Sequence, residues 1–145
     1  MSGTGLASFD TTLQETNLWL KGIEARLRDH DRHLAYVALR ATLHALRDRI
    51  GAENAVHLGA QLPMLLRGLY YEGWRMAAPA SRERHKAEFL AHVARELPEA
   101  VDPERAARAV FFVMWQKIDA GEVGKLLRIL PAELRDLWAE GDAAA

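Results

Sequence analysis

The chain has 145 residues and a formal net charge of −1; half of its residues are hydrophobic, 27% are charged and none is cysteine. This much apolar content excludes a disordered chain, and the lack of cysteine excludes disulfide scaffolds, thiol nucleophiles and thiolate metal sites. Near-neutral charge gives no global pull towards nucleic acid or an anionic membrane, and the length suits a single domain with its own core.

Residues 1–8 are rich in Gly, Ser and Thr and read as a flexible N-terminal segment; they lack the basic start and apolar run of a targeting signal. An amphipathic helix is predicted over about 11–28, with Leu13, Leu20, Ile23 and Leu27 on its apolar side. Asp29, His30 and Asp31 break that pattern and offer a carboxylate cap to the next helix. Tyr36, Leu39, Leu43, Leu46 and Ile50 follow at spacings of 3, 4, 3 and 4, one helical stripe, and Gly51 ends it. Short helices are predicted over 53–60 and 63–72, the second with Pro63 in its first turn and Gly73 beyond its end. After a linker at 75–81, helices are predicted over 82–97, 103–118, 122–130 and 131–140. Asp102, Pro103 and Glu104 make a strong helix start: a side-chain cap, a first-turn proline and an acid at the positive end of the helix dipole. The segment 109–115 is apolar on every side, so it is expected at the centre with cover all round. It is far short of the ~20 residues that span a bilayer, and a soluble cytoplasmic protein with no membrane partner is expected. Fifteen Arg against four Lys suggests a GC-rich bacterial genome. No alternating strand pattern or hairpin turn competes.

Sliding the sequence against itself by 68 positions aligns 38–73 with 106–141 without a gap, and 13 of 36 pairs are identical. They include Arg40/Arg108, Ile50/Ile118, Leu62/Leu130, Pro63/Pro131, Arg67/Arg135 and Glu72/Glu140. The expected architecture is all-α, about eight helices arranged as two pseudo-symmetric four-helix repeats sharing one core. The first repeat covers 9–74 and the second 82–141, with a tail at 142–145.

Three strings carry a family resemblance: FDTTLQ at 9–14, ATLHALRDR at 41–49 and GAQLPMLLRGLYYEGW at 59–74, the last echoed by LPAELRDLW at 130–138. They resemble the bacterial Domain of Unknown Function 2267 family over almost the whole chain. The resemblance implies a small, all-helical bacterial protein and carries over no catalytic residue.

The repeat also sorts candidate residues. Arg67/Arg135 and Glu72/Glu140 occur in both copies and suit an ion pair or carbonyl bond near a helix end. Tyr71 and Trp74 are unmatched, and with Tyr70 they put three aromatics within five residues, beside Gly68 and Gly73. They could line a groove for a ligand or a partner helix, or simply cover the seam between copies. His44 and Asp48 are also unmatched and lie four apart on one helix face, where a carboxylate could orient an imidazole. No nucleophile accompanies them, so no catalytic residues are assigned. His85, Glu88 and His92 have helical spacing for shared ligation but lie among Arg84, Lys86 and Arg95, and a solvated charged face explains them; Asp29 to His33 is explained by helix capping. No metal or other cofactor is implied. The segment 53–70 has the outline of a helix-turn-helix, but its second helix carries one cation and no base-reading polar side chain, so Leu65, Leu66 and Leu69 are expected to be buried. The sequence therefore favours a non-enzymatic interaction or regulatory module, acting through a protein partner or self-association. The alternative is a small-molecule site or unrecognised enzyme at the seam, drawing on His44, Asp48, Arg67, Tyr71 and Trp74; a nucleic-acid binder ranks third.

Overall fold

In a computed structural model, residues 3–139 are described. Residues 1–2 of the leading segment, Glu140 and Gly141 of the second repeat and the 142–145 tail lie outside them. Among the described residues the fold is all-α: α1 Ala7–Leu27, α2 Arg32–Arg49, α3 Ala52–Gly59, α4 Met64–Tyr71, α5 Lys86–Ala94, α6 Pro103–Lys117, α7 Ala120–Ile129 and α8 Ala132–Arg135, closed by a 3-10 turn at Asp136–Trp138. Helix α1 starts at Ala7, where the Thr4 backbone N–H donates to Asp10 at 3.0 Å.

Local chemistry sets the helix ends. Asp31 accepts from the Leu34 N–H, Asp102 from Glu104 and Asp119 from Gly121, each satisfying a donor that a helix start leaves open. Gly51, at φ +86°, turns the chain sharply from α2 into α3. Helix α5 begins only at Lys86, because the Glu88 carboxylate accepts from the backbones of Arg84 and His85 and holds 82–85 outside the helix. The last predicted helix is reduced to α8 and the 3-10 turn, which sends both Leu137 and Trp138 into the core.

Helices α2 and α6 are the centre. Helix α6 packs on α1, α2, α5 and α7, and α2 on α1, α3, α4 and α5. Phe111 of α6 stacks on Trp138 with ring centres 4.2 Å apart and on Phe89 of α5 at 6.2 Å; such pairs contribute about 0.5–1.5 kcal/mol beyond burial. The expectation that 109–115 is covered all round needs a correction. Trp115 is 45% exposed, and Phe112 is capped by the Arg26 guanidinium 3.9 Å from its ring centre.

Several pairs identical at offset 68 are buried in both halves: Ala38/Ala106, Ala41/Ala109, Ile50/Ile118, Leu58/Leu126, Leu62/Leu130 and Leu66/Leu134. The outer elements differ more. Helix α1 has 21 residues and α5 nine; α4 has eight and α8 four.

Candidate functional site

The last turn of α2 is the busiest polar spot in the fold. Arg47 is 6% exposed. It donates from Nε to Asp48 Oδ1 at 2.9 Å, and from Nη1 to the carbonyls of Tyr70 at 2.8 Å and Glu72 at 2.9 Å. It therefore satisfies acceptors that the end of α4 leaves open. Asp48 Oδ2 meets His92 Nε2 of α5 at 3.3 Å, and His92 Nδ1 meets Glu83 Oε2 at 3.2 Å. The Ser81 N–H donates to the Asp48 carbonyl at 2.8 Å, and Arg49 Nε to the Glu83 carbonyl at 2.6 Å. Three consecutive residues of α2 thus hold both ends of the 72–85 connection and one face of α5.

The protonation preferences follow from this geometry. The hydrogen bond to Asp48 raises the His92 pKa above its ordinary value; burial opposes the shift and the Glu83 charge adds to it. Burial works to raise the Asp48 carboxyl, but hydrogen bonds from His92 and Arg47 outweigh it and leave the group below the usual carboxylate value. Between α2, the connection and α5 lies a cleft of about 250 Å³, lined by Arg47, Asp48, Trp74, Arg75, His92 and Arg95 together with smaller residues.

The structure separates several residues that the sequence grouped. Asp48 and Trp74 line the cleft. His44 does not pair with Asp48: its Nδ1 meets Glu96 Oε2 at 2.9 Å and its Nε2 meets the Leu69 carbonyl at 2.8 Å. Tyr70 is fully buried and donates to the Ala55 carbonyl at 2.7 Å; burial pushes its hydroxyl pKa well up. Tyr71 is half-buried between Tyr70 and Trp74, with ring centres 5.0 and 5.5 Å away. A Cβ on Gly59 would sit 2.3 Å from the Tyr71 hydroxyl, so these two residues fit as a pair. Arg67 donates to the carbonyls of Gly59 at 3.0 Å and Leu62 at 2.9 Å, and Arg135 donates to Leu130 at 2.8 Å. Two arginines aligned in the repeat therefore bond to aligned carbonyls.

His85, Glu88 and His92 go to separate partners: Glu133, the start of α5, and the Asp48–Glu83 pair. Among the described residues no group of three or more His, Cys, Asp or Glu is placed to hold a metal. Leu66 is buried and Leu69 half-buried, but Leu65 is exposed, contrary to expectation. Helix α4 is too short to be covered on both sides; it buries Leu66 and Tyr70 and leaves Met64 and Leu65 outward. Sequence reasoning missed Arg47, Glu83 and the partners of His92. Arg47 had a signal available, because its aligned residue is Trp115.

A second surface stands out. Leu6, Phe9 and Leu13 of the α1 start, spaced by 3 and 4, and Met64 and Leu65 of α4 are 41–55% exposed. The two groups flank a direct contact, in which the Leu65 N–H donates to Thr12 Oγ1 at 2.8 Å.

The fold and these surfaces define a small all-helical protein with a polar cleft and an apolar face. The family model described as Uncharacterized conserved protein (DUF2267) matches residues 16–137, and the chain belongs to that family. Comparison with curated proteins gives no significant match. No helix among the described residues is long and apolar enough to cross a membrane.

Proposed function

We propose that this protein is a non-enzymatic interaction module of the bacterial cytoplasm that self-associates through the α1–α4 apolar face. The observation carrying this reading is the exposure of Leu6, Phe9, Leu13, Met64 and Leu65 around the Thr12–Leu65 contact. Single exposed apolar side chains are ordinary, whereas a group on adjacent helices is the composition of an interface. The fold does not demand apolar residues there: in the aligned segment Glu133 stands opposite Leu65 and Ala132 opposite Met64. A face of this kind can pair with its own copy about a two-fold axis, which closes the assembly and buries both strips at once.

The test is sedimentation equilibrium over a wide concentration range, comparing the native chain with Leu65→Glu. This substitution puts at 65 the residue type present at 133. The native chain is expected to form dimers and the variant to shift the dimer dissociation constant at least about tenfold. A native chain that stays monomeric at millimolar concentration overturns the reading.

A further inference from the structure

The cleft beneath the 72–85 connection has a lopsided chemistry. Arg47, Arg75 and Arg95 line it, and Asp48 is the only acid among its described lining residues. Both Asp48 oxygens are already engaged, one by Arg47 and one by His92, so its charge is answered in place. The side chains of Arg75 and Arg95 are exposed and make no hydrogen bond or ion pair among the described residues. Arg47 is more than nine-tenths buried, yet only its Nε and Nη1 are occupied. Its Nη2 makes no hydrogen bond within the protein and is not among the fully buried unpartnered atoms of the described residues, so it is a guanidinium donor open to solvent on a side chain that lines the cleft. Trp74 forms an aromatic wall, with Tyr71 stacked 5.5 Å behind it. The shared helical scaffold does not require these residues. Opposite Arg47, Asp48 and Trp74 in the repeat alignment stand Trp115, Gln116 and Asp142.

We propose that the cleft binds a small organic anion made of one flat ring bearing one carboxylate or phosphate. The ring lies against Trp74, and the anionic group accepts from Arg47, Arg75 and Arg95. Guanidinium forks match the planar oxygens of either group, and the indole face supplies area for a ring at little entropic cost. A cleft of about 250 Å³ has room for one ring and one head group.

The experiment uses the full chain labelled with nitrogen-15. The Trp74 indole N–H signal is assigned by its loss in Trp74→Phe. Four probes are titrated: phenylacetate, phenyl phosphate, benzyl alcohol and inorganic phosphate. Saturable movement of the Trp74 signal is expected with at least one ring-bearing anion, and the one that acts identifies the head group. Benzyl alcohol and inorganic phosphate are expected to bind at least about tenfold more weakly, and the Arg75→Gln/Arg95→Gln double variant to lose a similar factor. Movement with neither ring-bearing anion, equal binding of benzyl alcohol or inorganic phosphate, or unchanged affinity in the double variant each overturns the proposal. Leu65 lies outside this cleft, so repeating the titration on Leu65→Glu keeps the result separate from self-association.

Discussion

Individual positions show how far sequence spacing can carry a reading. Asp31 and Asp102 were legible as caps, because a cap acts on its own helix within three residues. The cross-helix partners of His44 and Asp48 were not, because they arrive from Leu69, Glu96 and His92, which only the tertiary fold brings in. Tyr71 stood out for lacking a counterpart, and its packing supplies the reason. Gly59 and Tyr71 form a small–large pair, and the residues aligned with them in sequence are Leu127 and Ala139, so neither member of the pair is repeated. Thr42 gives a sharper test. It is fully buried and its hydroxyl has no partner, while the aligned Val110 is equally buried. Replacing a dry hydroxyl by a methyl removes a desolvated donor at almost constant shape. Thr42→Val is therefore expected to raise the stability measured by denaturant unfolding by about 1 kcal/mol. A loss of stability would show that the hydroxyl does useful bonding.

Among the elements, the main departure from the sequence pattern is the late start of α5. Apolar periodicity cannot foresee that the backbone at 81–85 is wanted elsewhere, by the Asp48 carbonyl, Arg49 and Glu88. His92 closes this arrangement by joining α5 to both Asp48 and Glu83, with Arg47 and Arg95 nearby. Its folded-state pKa is raised, so the folded chain holds the proton more tightly than the unfolded one. The stabilisation is complete below the ordinary histidine value of about 6.5 and is lost as pH rises through the elevated folded value. Asp48 acts in the opposite direction, supporting the fold above its ordinary carboxyl value and losing that support as pH falls through the depressed one. Chemical unfolding from pH 5 to pH 9 is expected to show stability falling above about 6.5 in the native chain, with a shallower fall in His92→Gln. Equal slopes in the two chains would remove His92 from the clamp.

For the molecule as a whole, the all-α class was legible because 3.6-residue periodicity runs through nearly every segment. The centrality of α6 followed from its unbroken apolar run, although Trp115 shows that such a run need not be covered on every side. The apolar face on α1 and α4 was not legible. Phe9 and Leu13 have the pattern of core residues, and only their position on the assembled helices leaves them to solvent. That face is the centre of the functional account, and its location is best tested by a dilution series followed by backbone amide and methyl NMR. Self-association through this surface predicts concentration-dependent shifts confined to Leu6, Phe9, Leu13, Met64, Leu65 and their neighbours, and abolished by Leu65→Glu. Shifts that map instead to the exposed Trp115 side of α6, or no shifts at any concentration, would contradict it.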